Sequence, residues 1–409
     1  MRNPTRTLLL FGLTLLVACG PEASQQAGLE LHEPSGVLWV DTANGIAAVN
    51  VPDATVRMEI PNAVVGRDFT EIYSTRYKQG TTTLIRWDPG AAAHLTKMTI
   101  RGTFAANVAG PGGKVALTEP RSEGATPWLP DGRRRTTVVV GTPDAGVERR
   151  YRLLGNFEPE AFSTNGKSLY MIEYIPPDDP DRYRVRILSL RSGRVFPIGR
   201  LKGAPDQMRG TGRTQVFAPD GDELYTLYTR QGPNYAHGAP AGPSRSRTNA
   251  FVHQLNLEEG WAHCIDLPLP FGRGRATASS IDISPDGKEL YVSDWTNGAV
   301  AIVDPAEVKV LRVAQLPLGD RDNKTFSVAS SSGLLYVAGN DTVVTIDTSS
   351  LRVVNRWRMD GDVTGLEVSP DGRTVFVAVA DAIVMIDSAM GTHMDTLPIG
   401  PVDDILYMG

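Results

Sequence analysis

The sequence predicts an all-β fold, a ring of four-stranded blades of the β-propeller kind. Three observations predict it. A turn-and-strand unit recurs about every 40 residues, a blade-sized period. Helical periodicity is nearly absent beyond the first 18 residues, and strand-forming segments are left over at both ends of the chain.

Residues Met1 to Thr7 carry Arg2 and Arg6 and precede the apolar run Leu8 to Ala18, which is too short to span a bilayer as a mature helix. The segment reads as a cleaved export signal over residues 1–18. It ends in Leu16-Val17-Ala18-Cys19-Gly20, which resembles the lipobox of bacterial lipoproteins. That resemblance implies diacylation of the Cys19 thiol, through which the chain would be held on the extracytoplasmic side of a bacterial membrane. Gly20, rather than Asp, after the anchor is compatible with outer-membrane sorting in a two-membrane cell. Residues 19–28 then form a polar tether, and residues 29–409 a single propeller domain.

The full chain has 41 basic and 46 acidic residues, a net charge of -5. Excluding Arg2 and Arg6 leaves 39 basic residues against the same 46, or about -7. This balance points away from nucleic acid and from a polybasic membrane surface. With Cys19 acylated, Cys264 is left single, so no intramolecular disulfide is expected. Its strand-like setting, Trp261-Ala-His-Cys-Ile-Asp, suits a buried structural thiol better than a reactive one.

The repeats begin to be unmistakable in the last third of the chain. Ile283-Ser-Pro-Asp-Gly-Lys-Glu-Leu-Tyr-Val-Ser-Asp followed by Gly298-Ala-Val-Ala-Ile-Val-Asp304 recurs as Val368-Ser-Pro-Asp-Gly-Arg-Thr-Val-Phe-Val-Ala followed by Ala382-Ile-Val-Met-Ile-Asp387. Midway between them, Ser331-Ser-Gly-Leu-Leu-Tyr-Val-Ala and Thr342-Val-Val-Thr-Ile-Asp347 repeat the pattern. Phe217-Ala-Pro-Asp-Gly and Phe162-Ser-Thr-Asn-Gly fit the same frame upstream, and Gly112 and Asp68 open degenerate copies. Each Asp-Gly or Asn-Gly supplies a tight reversal between β-branched and aromatic strands. One such sheet cannot bury both faces, so the copies must stack around an axis. The unit resembles YVTN-type and WD40-like propeller repeats, with Leu290-Tyr-Val-Ser-Asp and Val300-Ala-Ile-Val-Asp as the matching strands.

Seven full units start near Asn62, Gly102, Gly155, Thr214, Ser279, Thr325 and Val363. Gly36 to Asp41, Ile46 to Asn50 and Thr55 to Ile60 remain at one end, and Val402 to Met408 at the other. A closing blade shared between them, with the C-terminal strand innermost, uses all four and removes the sheet edges. The count is therefore eight blades, with seven as the alternative.

Long connections mark the candidate binding face. Pro120 to Arg135, Pro176 to Tyr183, Lys202 to Arg213, Gln231 to Thr248 and Pro268 to Ala278 all fall between second and third strands or between blades. These share one face of a propeller, and loops of this length in a compact domain are commonly functional. They offer Trp128, Tyr183, Tyr235 and Phe271 with Arg209, Arg213, Arg273 and Arg275, and further out Arg245 and Arg247, against an acidic patch of Asp178, Asp179 and Asp181. Arginine forks bind carboxylate and phosphate bidentately, which suits a protein, peptide or anionic glycan partner. The bland alternative is a set of solvated loop charges.

No catalytic constellation, metal-binding spacing or cofactor motif stands out. His32, His94, His237, His253, His263 and His393 are scattered, although His253 and His263 flank one strand pair. There is no Gly-x-Ser-x-Gly elbow, and Pro177-Asp-Asp-Pro-Asp-Arg lacks the Gly and Glu of a dedicated calcium loop. Two readings remain. One is a non-catalytic recognition or scaffold module at the cell surface; the other is an enzyme of the central pocket, such as the lactonases that some YVTN-like propellers resemble. The second reading requires carboxylates to converge at the channel, with Glu160, Asp282 and Glu367 as candidates.

Overall fold

A computed structural model describes residues 36–66, 69–91, 93–121, 131–200, 207–208, 211–229, 250–319 and 324–409. Its strands form eight sheets, each built on four antiparallel strands, arranged as a β-propeller. From the innermost strand outward, blade 1 comprises Ala63–Val65, Ile72–Lys78, Thr81–Asp88 and Ala93–Arg101. Blade 2 comprises Ala105–Gly110, Lys114–Thr118, Arg135–Thr142 and Val147–Leu154; blade 3 comprises Asn156–Phe162, Ser168–Ile175, Arg182–Ser189 and Val195–Pro197. Blade 4 comprises Thr211–Phe217, Glu223–Thr229, Ala250–Asn256 and Trp261–Leu267. Among the described residues it alone gains a fifth strand, Gly199–Arg200, which runs parallel to its outer edge.

Blades 5, 6 and 7 are the regular copies. They run Ser279–Ile283, Leu290–Asp294, Ala299–Asp304 and Lys309–Gln315; then Thr325–Ala329, Leu334–Gly339, Thr342–Asp347 and Arg352–Arg358; then Val363–Val368, Thr374–Val379, Ala382–Asp387 and His393–Leu397. Blade 8 takes Asp404–Met408 as its innermost strand and Val37–Thr42, Gly45–Asn50 and Thr55–Ile60 outside it. Eight blades and a closing sheet drawn from both ends are therefore what the repeat count predicts.

The Asp-Gly signature works through its side chains. In blade 5 the Ser284 hydroxyl donates to Asp286 at 2.7 Å and accepts from the amides of Lys288 and Glu289, while Gly287 takes a positive φ of 74°. Ser369, Asp371 and Gly372 repeat this in blade 7. A Cβ at the αL position would be strained, which is why glycine recurs there.

Packing lies between blades. Alternate residues along each strand face opposite neighbours, so each seam is a separate apolar cluster. Ile281, Ile283, Leu290 and Val292 pack with Tyr225, Leu227 and Val252 between blades 4 and 5. Tyr291 and Trp295 pack with Leu335 and Val337 between blades 5 and 6. The middle strands of blades 5 to 7 are buried on both faces, which accounts for their continuous apolar runs.

Candidate functional site

Strand direction fixes which connections share a face. The connection from Thr118 to Arg135, that from Ile175 to Arg182 and that from Thr229 to Ala250 each join a second to a third strand. Those from Arg200 to Thr211 and from Leu267 to Ser279 join successive blades. All five leave the same face, across blades 2 to 5. Turns on the opposite face, such as Ala218 to Asp222 and Ser284 to Glu289, are short and closed by backbone hydrogen bonds.

Two of the long connections are laced together. The Arg133 amide donates to the Pro177 carbonyl at 2.7 Å, and its guanidinium donates to Asn156 Oδ1 at 3.0 Å and to the Phe157 carbonyl. Asn156 in turn donates to the Asp131 carbonyl at 2.9 Å. Arg134 Nε reaches both carboxylate oxygens of Asp178, at 3.0 and 2.8 Å. Asp178 of the predicted acidic patch is thus already engaged, by an arginine the sequence reading did not select. The signal for it was present in the run Arg133-Arg134-Arg135, but no spacing rule pairs that run with a loop 44 residues away.

The predicted contact residues divide. Tyr183 and Phe271 are not on the surface: they are 3% and 1% exposed. Tyr183 is the second residue of a strand, and its ring points into the seam between blades 3 and 4 with Tyr174 and Tyr228. Phe271 folds back into the seam between blades 4 and 5. Both are core residues at loop ends, where burial outweighs loop position. Arg273 and Arg275 are exposed on the crossover that Phe271 anchors. Trp128, Arg209, Tyr235, Arg245, Arg247 and Cys19 lie outside the described residues, as does the side chain of Arg213.

The ring encloses a second candidate. A cavity of about 1190 Å³ is lined by Asn107, Glu160 and Gln215 from innermost strands, with Phe69, Glu71 and Leu406 among its other walls. Gln215 donates to Glu160 and, at 3.1 Å, to the Thr226 hydroxyl. Asp282 and Glu367 do not line this cavity. Asp282 Oδ2 accepts the Ala329 amide at 2.6 Å between blades 5 and 6, and Glu367 Oε1 accepts the Val368 amide at 2.7 Å. The three proposed carboxylates therefore do not converge on one point.

Charge around the channel is nonetheless distinctive. Burial pushes the Asp282 carboxyl up to about 7 and that of Glu367 up to about 8, the latter helped by the negative charges of Asp282 and Asp404. Asp404 is pushed up to about 6 by burial, against the pull of Lys324, whose ammonium donates to Asp404 Oδ2 and the Asp403 carbonyl, both at 3.0 Å. Asp41 is raised by burial and by Asp403. Lys324 and Asp404 went unnoticed in the sequence because each sits at the first turn into an innermost strand, a position visible only once the blade frame is set.

The histidine pair is structural in its setting. His253 is 5% exposed, edge-on to Tyr228 and held neutral, its pKa lowered to about 4 by burial and by His263. Among the described residues no three His, Cys, Asp or Glu side chains gather at metal-binding range. Cys264 is a half-buried thiol outside any disulfide, 3.7 Å from the Met208 sulfur.

Several solved structures share this architecture. AztD from Citrobacter koseri superposes with a TM-score of 0.56 at 12% identity, covering 91% of this chain and 97% of that one; its apo form gives 0.55. Saccharomyces cerevisiae Sqt1 gives 0.50 at 10% identity over 90% and 89% of the two chains. The likeness is one of fold. No family model and no curated protein sequence matches the chain.

Proposed function

We propose that this chain is an exported, lipid-anchored propeller that recognises a protein, peptide or anionic envelope-glycan partner through its long-connection face, without catalysing a reaction. The observation that carries the reading is the clustering of all five long connections on one face of blades 2 to 5, opposite a face of short, hydrogen-bonded turns. The lacing of Arg133 and Arg134 to Pro177 and Asp178 supports it further, because a contact surface gains affinity when its loops are ordered before binding. Arg273 and Arg275 supply exposed forks for carboxylate or phosphate on the same face. Export and anchoring rest on residues 1–20, with Cys19 as the acylated residue. A hydrolytic channel has less behind it, since Glu160 is tied to Gln215 in one seam while Asp282 lies in another.

Cross-linking pull-down from native membranes tests the reading. The intact protein is compared with a variant carrying Arg209→Ala, Arg213→Ala, Arg273→Ala and Arg275→Ala. A partner captured by the parent and lost from the folded variant is the expected result. Identical capture by both proteins would remove the arginine face from the proposal.

A further inference from the structure

A polar cluster is sealed into the seam between blades 5 and 6. Along the innermost strand of blade 5, Ile281 and Ile283 pack back against blade 4, so Ser280 and Asp282 face blade 6. Ser293 lies directly across from Ser280 on the next strand, on the face where Tyr291 and Trp295 meet blade 6. On the innermost strand of blade 6, Phe326 and Val328 face blade 7 while Ala329 faces blade 5, so Ser327 also faces blade 5. The Ala329 amide bonds Asp282, which sets the level of the two strands. Two residues back on each, Ser327 comes beside Ser280.

The hydroxyls of Ser280, Ser293 and Ser327 are buried and have no hydrogen-bond partner among the described residues. Ser280 is 3% exposed and Ser293 fully enclosed. Leaving one buried hydroxyl unsatisfied costs about 1–3 kcal/mol, and native interiors avoid it. The strand register sets the three in one seam, Ser293 and Ser327 each at the level of Ser280, with the Asp282 carboxylate two residues further along the same strand. The set holds no nitrogen or sulfur donor, which is the preference of hard ions. Asp282 keeps a partly exposed surface despite its depth, which gives an ion a way in from solvent.

We propose that this seam binds a monovalent hard cation, sodium in the first instance, through the hydroxyl oxygens of Ser280, Ser293 and Ser327 and the carboxylate of Asp282. One negative ligand among four matches a single positive charge and falls short of the two or more carboxylates that calcium sites commonly gather. The ion would clamp the innermost strands of blades 5 and 6.

Thermal unfolding of the purified full-length protein tests this in choline, sodium, potassium and calcium chlorides at one ionic strength. The melting temperature is expected to rise with the logarithm of sodium concentration above its value in choline, as binding to the folded state requires. The double variant Ser280→Ala, Ser327→Ala should melt cooperatively in choline but need at least tenfold more sodium for the same rise, and Asp282→Asn should lose the response. Equal melting in choline and sodium, a response to calcium alone, or a serine variant that responds like its parent would overturn the proposal. Should the variants fail to fold, sodium-23 resonance on the unaltered protein decides: broadening reversed by excess potassium supports the site, and an unbroadened line refutes it.

Discussion

The rings of Tyr183 and Tyr228 lie 5.1 Å apart at an interplanar angle of 30°, joining the third strand of blade 3 to the second strand of blade 4. Tyr228 continues the stack to Phe251 at 5.2 Å. Tyr183 consequently acts as a packing residue. Tyr183→Ala is expected to cost about 3–5 kcal/mol, as for other large buried aromatics, and to lower the denaturant midpoint measured by circular dichroism. Tyr183→Phe keeps the stacked ring and should retain most of that stability. Equal stability of Tyr183→Ala and the parent would contradict the assignment.

Glu367 makes stability depend on pH in the direction opposite to that of most carboxylates. Its pKa in the folded state is about 8 against an ordinary 4.5, so the folded chain holds this proton more tightly than the unfolded chain. Its contribution is therefore fully present below pH 4.5 and is lost as pH rises through 8. Between pH 5 and pH 8.5 the melting temperature of the parent should fall, and Glu367→Gln should recover roughly 2–4 °C of that fall. Calorimetry at the two pH values, showing the same fall in both proteins, would show that Glu367 does not carry the effect.

Closure at blade 8 sets another expectation. A Cβ on Gly365 would come within 2.4 Å of the Ile405 amide nitrogen, so the innermost strands of blades 7 and 8 approach too closely for a side chain. Gly365→Ala should destabilise by about 1–3 kcal/mol in chemical denaturation. Deleting residues 404–409 should do more, leaving the Val37–Thr42 strand without its inner partner and the Leu38, Val40 and Ile405 cluster open. Size-exclusion chromatography of the deletion is expected to show aggregates or strand-exchanged dimers.

Cys19→Ala tests the anchor without touching the propeller. Metabolic labelling with radioactive palmitate should mark the parent and not the variant, and the variant should move from the membrane to the soluble fraction. Equal labelling would place the lipid elsewhere or nowhere.

Much of the fold was legible because its cause is local. Asp286-Gly287 and Asp371-Gly372 dictate a reversal through their own side chains and φ angles, and the same spacing repeats for the strands around them. Blade closure, a pairing of the two ends of the fold, was legible by counting instead, since the strands left over at both ends make up one four-stranded sheet. The candidate site was less so. Tyr183 and Phe271 stand in loop-like sequence, and only the neighbouring blade decides that their rings turn inward. Arg134 and Asp178 meet across two blades, as do Lys324 and Asp404, and no local pattern encodes such pairs.

The shared blade also governs the order of events in folding. Val37–Thr42 is the first described strand of the chain, yet its inner neighbour, Asp404–Met408, is the last. Blades 1 to 7 are each continuous in sequence and can assemble as they emerge, whereas blade 8 must wait for the far end. The entropy of closing so long a loop grows only slowly with its length, but the search delays the final contact. Until then the ring is an open arc with two unsatisfied ends, and a chain stalled at that stage is the form that chaperones and proteases of its compartment would meet.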